Sequence, residues 1–295
     1  MADSIKYLPM SFISILQDTP SFFISFITII GLMIGSFLNV VIYRLPEMMK
    51  RNWLQQCAEL RGETIESQPT FNLITPRSAC IHCGHKITAL ENIPIISYLA
   101  LRGRCAQCHT HISLRYPAVE VITAFMSGVV AWSFGFSFIT IATLILVWAL
   151  IALAVIDLNT QLLPDDITLP LLWLGLLVNM GNGFTDIHSA IIGAVAGYLS
   201  LWLIYWGFKL ITGKEGMGYG DFKLLSAIGA WLGWSMLPLV IIFSSLVGAI
   251  VGIGLIVAAK LKKNIPIPFG PYLVGGALIA LFWGEKLNHA YFGLF

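Results

Sequence analysis

Apolar positions in this chain run in stretches too long for the core of a soluble domain. A helix needs about 20 mostly apolar residues to cross the hydrocarbon layer of a bilayer. Such runs lie at roughly 21–43, 117–134, 138–157, 166–182, 187–210, 222–233, 235–259 and 267–284. The pattern predicts about eight transmembrane helices. The sixth run is short, which suits a re-entrant helix or one tilted against a neighbour. The stretch 44–116 breaks the pattern: it is polar, holds several prolines and carries all five cysteines. The expected organisation is an N-terminal tail and first transmembrane helix over 1–43, an extramembrane domain over 44–116, and a bundle of about seven helices over 117–295.

Composition agrees. Hydrophobic residues make up 57% of the 295 residues and charged residues 11%, against about 25% charged in a soluble domain. The first apolar run follows Asp18 and Pro20, lacks a basic flank and is long enough to span, so it does not read as a cleaved signal peptide. A net charge of +2 says little by itself; its placement says more. If 44–116 is cytoplasmic, that side holds Arg44, Lys50, Arg51, Arg61, Arg77, Lys86, Arg102, Arg104, Arg115, Lys209, Lys214, Lys223, Lys260, Lys262 and Lys263. The other side then keeps only Lys6 and Lys286. The positive-inside rule selects this orientation and places both chain ends outside. It also accounts for the basic loop without nucleic acid.

This topology brings two acids to one depth. Asp157 ends the third span, and Asp221 opens the sixth within Gly218-Tyr219-Gly220-Asp221-Phe222-Lys223. An ionisable residue at a membrane boundary is costly unless solvated, paired or used. Two close carboxylates can share one proton, one acting as base on a water and the other as acid toward a carbonyl. Gly218 and Gly220, lacking Cβ atoms, let backbone or a substrate strand approach the acid. The plainer reading is that Asp221 caps a helix, that Asp157 is a solvated helix end, and that Asp165 and Asp166 cap the fourth span. Lys223 is a candidate to bias the pair's proton or to contact backbone.

The cysteines form a second constellation. Cys80-Ile-His-Cys83 and Cys105-Ala-Gln-Cys108 are separated by 21 residues. Paired knuckles at this spacing predict a closed, structural zinc site of four thiolates, Cys80, Cys83, Cys105 and Cys108. The fold class is therefore an all-α polytopic membrane protein with a small zinc-ribbon-like cytoplasmic domain inserted after the first helix. Gly84 and Gly103 suit the tight turns. His82, His85, His109 and His111 are alternative ligands close by. Cys57 reads as an incidental free thiol, and no thioredoxin-type frame supports a redox dithiol.

In order along the chain stand Gly35-Ser-Phe-Leu-Asn-Val-Val-Ile-Tyr-Arg-Leu-Pro46, the two cysteine pairs, Asn92-Ile-Pro-Ile-Ile-Ser97, Leu101-Arg-Gly-Arg-Cys105 and Arg115-Tyr-Pro-Ala-Val-Glu120. Asp157 with Leu163-Pro164-Asp165 follows, then the Gly218–Lys223 motif and Pro266-Ile-Pro-Phe-Gly-Pro-Tyr272. With these motifs the chain resembles the bacterial type IV prepilin peptidases (prepilin leader peptidase/N-methyltransferases) over nearly its whole length. The resemblance implies an aspartic endopeptidase of the cytoplasmic (inner) membrane, with Asp157 and Asp221 as the catalytic pair and the four cysteines as zinc ligands. It implies prepilin and type II secretion pseudopilin substrates, which lose a short basic leader, typically between Gly and Phe. It further implies N-methylation of the new terminus from S-adenosylmethionine. No Rossmann-type glycine fingerprint is present for that cofactor, which would then bind in the cytoplasmic domain or at its junction with the membrane. Arg44, Glu91, Arg115 and Glu120 fall in the resembling motifs near that junction, either for binding or for mutual ion pairing. Asn39 suits a hydrogen bond across helices, and Gly35 and Ser36 suit close packing.

Two other readings bear on the same features. A transporter could relay protons through the acids, but no repeated halves are visible and both acids lie at one face. A non-catalytic zinc-ribbon adaptor would leave the two acids apart.

Overall fold

The computed structural model describes residues 12–63, 70–259 and 268–292. Lys6, Lys260, Lys262, Lys263, Pro266 and Ile267 lie outside them. Ten α-helices occur among the described residues. They are α1 (Phe12–Asp18), α2 (Pro20–Leu60), α3 (Ile96–Ala100), α4 (Arg115–Phe134), α5 (Phe138–Thr160), α6 (Asp165–Met180), α7 (Ile187–Thr212), α8 (Tyr219–Leu232), α9 (Leu237–Ala259) and α10 (Gly270–Phe292). No strand forms among them beyond two isolated bridges. Each predicted apolar run is helical over most of its described length. Among the described residues, five helical stretches are long and apolar enough to cross a membrane: Pro20–Leu60, Arg115–Phe134, Phe138–Thr160, Ile187–Thr212 and Trp234–Gly254. The protein is thus a multi-pass membrane protein. At 1.5 Å per residue, the 16-residue α6 and 14-residue α8 reach only about 24 and 21 Å.

Two boundaries differ from expectation by more than a turn: the last helix runs on from 284 to Phe292, and the first overruns by more. The first helix does not stop near residue 43 but continues through Pro46 to Leu60. Residues 47–60 are mostly strong helix formers, and Glu47 pairs with Arg51 one turn on at 3.3 Å. The end of the apolar run therefore marks a change in composition, not the end of the helix.

The chain divides into two compact units. The first holds residues 1–40 and 74–148. In it α2 lies close against α4. A Cβ on Gly35 would come within 2.7 Å of the Glu120 Cα, and one on Gly128 within 2.7 Å of the Thr28 hydroxyl. The Asn39 amide donates to the Tyr116 carbonyl at 3.0 Å, and Trp148 Nε1 donates to the Ser127 hydroxyl at 2.9 Å. In lipid, where apolar contact gains little, close approach and interhelical hydrogen bonds carry association.

The second unit holds residues 41–73 and 149–295. Its centre is α8, most of whose residues from Asp221 onward are buried. Gly193 and Gly197 of α7 bring that helix's backbone onto the backbone of α8 at Gly229 and Leu225. Gly175 of α6 leaves room for the Trp231 ring, whose Nε1 donates to the Leu171 carbonyl at 2.8 Å. Ser226 donates to the Ala194 carbonyl at 2.7 Å. Buried Asn179 closes the end of α8: its amide donates to Ala230 and Trp231 carbonyls, and its oxygen accepts from the Phe184 and Thr185 amides. A short helix whose last carbonyls would otherwise be orphaned is so completed from α6.

Candidate active site and metal centre

Asp157 sits in the last turn of α5 and Asp221 in the first turn of α8, both within the second unit. They are 5% and 6% exposed, and both line one cavity of about 720 Å³. They are close enough for their charges to interact. The structure thus brings together the two acids that the sequence singled out, 64 positions apart.

Their local settings differ. Asp157 Oδ2 accepts from the backbone amide of Gly270, the first residue of α10, at 2.9 Å. Asp221 Oδ1 is buried and has no hydrogen-bond partner among the described residues. The helix cap of α8 is Gly218, not Asp221. Asp221 is three residues further on, with Oδ2 beside Gly218 and Oδ1 left over.

The two motif glycines have separate tasks. Gly220 faces Leu163: a Cβ there would lie 2.8 Å from the Leu163 Cβ. It thus lets the loop after α5 approach α8. Gly218 faces Asp221 itself, with Oδ2 3.8 Å from where its Cβ would stand. Lys223 does not reach the pair of acids. It binds the Asp165 carboxylate at 2.7 and 2.8 Å. Residues two apart on a helix point in different directions, so Lys223 is carried away from Asp221. Asp165 and Asp166 sit in the first turn of α6, whose cap residue is Pro164 and makes no side-chain cap bond.

Sequence reasoning missed two contributions. The extension of α2 brings Met49, Asn52, Trp53 and Gln56 to the cavity wall, which only a helix continuing past Pro46 can do. Gly270 stood in the motif closing the resemblance, but its work is done by a backbone N–H, which no side chain announces.

The metal centre belongs to the first unit. The four thiols of Cys80, Cys83, Cys105 and Cys108 lie within 4.8 Å of one another. Cys80 and Cys108 are 3.7 Å apart, Cys83 and Cys105 3.9 Å. Four sulfurs at about 2.3 Å from a tetrahedral ion stand about 3.8 Å apart, so these cysteines can hold a metal ion. The two knuckles repeat one construction. The amides of Cys80 and Cys105 donate to the carbonyls of His85 and Thr110, each at 2.9 Å. The turn closes at Gly84 (φ +73°) in one and at His109 (φ +56°) in the other. Gly103 serves elsewhere, holding φ +67° against the Tyr98 ring. The Thr110 hydroxyl and amide push the Cys108 thiol down to about 6, which favours the thiolate a metal needs. His85 faces Glu91 at 3.1 Å.

The charged residues of the resembling motifs have local partners. Arg44, buried, donates to the Asn72 carbonyl at 2.8 Å and lies over Phe71, with Arg51 over the same ring at 4.1 Å. The Thr88 amide, then His85, hold Glu91 below the usual carboxylate range. Glu120 accepts from the Ile95 amide at 2.8 Å, and Arg115 lies over Tyr116.

Two family models match the chain in succession. Residues 29–134 match the bacterial peptidase A24 N-terminal domain, and residues 144–253 match the type IV leader peptidase family. A prepilin leader peptidase/N-methyltransferase of Pseudomonas aeruginosa is 52% identical over 96% of this chain and 98% of its own. One from Aeromonas hydrophila is 54% identical over 92% and 94%, and one from Burkholderia pseudomallei 48% over 88% and 85%. No solved structure matches significantly. At such identity over almost the full length, the chain belongs to the type IV leader peptidase family.

Proposed function

We propose that the chain cleaves the leader from type IV prepilins and pilin-like type II secretion subunits, then methylates the new N-terminal amine using S-adenosylmethionine. Two buried carboxylates facing one cavity carry this reading. A water between them loses a proton to one carboxylate and attacks the scissile carbonyl, which takes a proton from the other. The substrate's apolar segment lies in the bilayer, and its leader stays on the cytoplasmic side of the inner membrane, where positive-inside charge places both acids. Residues 44–116 form the cytoplasmic domain, and 1–43 and 117–295 the membrane part. The four cysteines hold zinc as a structural ion; zinc would cross-link a segment with little core of its own. S-Adenosylmethionine, when bound, supplies the methyl group.

Incubating the purified protein with a prepilin peptide and labelled S-adenosylmethionine, and reading cleavage and methylation separately, tests both activities. Cleavage followed by label on the new terminus is expected. No cleavage would refute the peptidase reading, and cleavage without label would refute the transferase. Metal analysis finding no zinc would refute the ion assignment.

A further inference from the structure

We propose that the two carboxylates work unequally: Asp157 acts as the ionised base, Asp221 carries the proton, and Gly270 is the positioning residue that fixes this division. The proposal rests on the peptidase reading and deepens it.

The asymmetry begins at α10. Its first residue, Gly270, points a backbone N–H at Asp157 Oδ2. That N–H is one of the orphan donors at a helix start, and it lies at the positive end of a 23-residue helix dipole. An N–H donated to a carboxyl oxygen favours the anion. The space for this contact exists only because residue 270 is glycine. A Cβ there would stand 2.6 Å from Oδ2 and 3.2 Å from the carboxyl carbon.

Among the described residues lining the cavity, no other group supplies such a counter-charge. From α8, Lys223 is bound to Asp165, and Asp221 and Tyr219 bring no positive charge. From α6 come Asp165 and Asp166, and from the loop before α8 comes Glu215, which is bound to Lys209. The α2 wall offers Met49, Asn52, Trp53 and Gln56, none charged. Of the two acids, Asp157 is the one that the start of α10 favours as the anion. Asp221, close by, has an oxygen buried without a partner. An anion there would leave charge unsolvated, whereas a protonated carboxyl leaves only a weak acceptor.

Asp157 takes a proton from water as the water oxygen bonds to the scissile carbon, and the Asp221 proton moves to the carbonyl oxygen. On collapse the C–N bond breaks, the proton on Asp157 goes to the leaving amine, and Asp221 recovers a proton from a hydroxyl of the tetrahedral carbon. Both acids return to their starting states.

Chemical labelling of the full-length protein in detergent tests the division. An aryl epoxide esterifies carboxylate anions, and a diazoacetyl ester esterifies protonated carboxyls. Mass mapping is expected to show epoxide on Asp157 over Asp221 by about tenfold or more, and the diazo adduct in the reverse order. Equal labelling, the opposite order, or no epoxide adduct at Asp157 would overturn the proposal. Gly270→Ala is expected to lower kcat by about tenfold or more with KM within about twofold, and to bring epoxide labelling of the two acids toward parity. An unchanged labelling ratio in that variant would overturn the role of Gly270; the labelling of the unmodified chain stands whether or not the variant folds. Cleavage by untreated protein is measured alongside. Reversed labelling with intact cleavage refutes only the division of roles, whereas absent cleavage refutes the peptidase reading.

Discussion

Gly220→Ala places a methyl group where Leu163 already is. The added Cβ would sit 2.8 Å from the Leu163 Cβ and 3.3 Å from Cδ1, so either the loop after α5 or the start of α8 must shift. Overpacking of this kind costs about 1–3 kcal/mol. Asp221 is the next residue, and Asp157 and Leu163 flank the same loop, so the shift falls on the separation of the two acids. If the whole strain is borne there, kcat/KM for prepilin cleavage should drop about 5- to 150-fold, at about 1.4 kcal/mol per factor of ten. Leu163→Gly removes the atoms that collide. In a double-mutant cycle it should restore most of the loss, with a coupling of about 1 kcal/mol or more. The assay is steady-state cleavage of a prepilin in detergent, with metal content as a check on the fold. Full activity in Gly220→Ala would refute the packing argument. A loss that Leu163→Gly fails to relieve would instead mean that the substrate backbone needs the space beside Gly220.

Lys223→Ala should leave kcat/KM within about fivefold of the parent, because its partly exposed pair with Asp165 is worth about 1 kcal/mol at most; a larger loss in the cleavage assay would place the lysine in the chemistry. Asn179→Leu removes two buried and two partly buried hydrogen bonds and should cost about 2–4 kcal/mol in thermal or denaturant unfolding. A cost below about 1 kcal/mol would mean that the end of α8 is closed by other means. Cys80→Ser and Cys105→Ser, read by metal analysis, should each release the bound ion and impair methylation more than cleavage; full retention of metal by both would refute the four-cysteine site.

The parts of the fold legible in the sequence are those written in side chains with a strong transfer energy or a fixed spacing. Apolar runs located the eight long helices among the described residues, and cysteine pairs separated by 21 residues located a cluster in which two sulfur pairs stand at tetrahedral distances. The two acids were legible because carboxylates at a membrane boundary demand a reason. Asn39, Gly35 and Gly128 show that small or amide-bearing residues in a span do mark close helix contacts.

Other features left weaker traces. The run of α2 from Val41 to Leu60 changes environment without changing backbone, so a polarity criterion ends the span where the helix continues. Lys223 stands near Asp221 in sequence but on another face of α8, and its partner Asp165 lies 58 positions away. Gly270 acts through a backbone amide and through the absence of a side chain. Its partner is 113 positions distant, and neither periodicity nor composition carries such a pairing.

Replacing Asp157 or Asp221 singly by Asn keeps shape and removes one ionisable group. Single-turnover cleavage of a prepilin by each variant, inserted in membranes with its metal retained, tests most directly whether the pair does the chemistry. Both variants should lose cleavage while still methylating a peptide already cut; cleavage at the parent rate by either one would contradict the account.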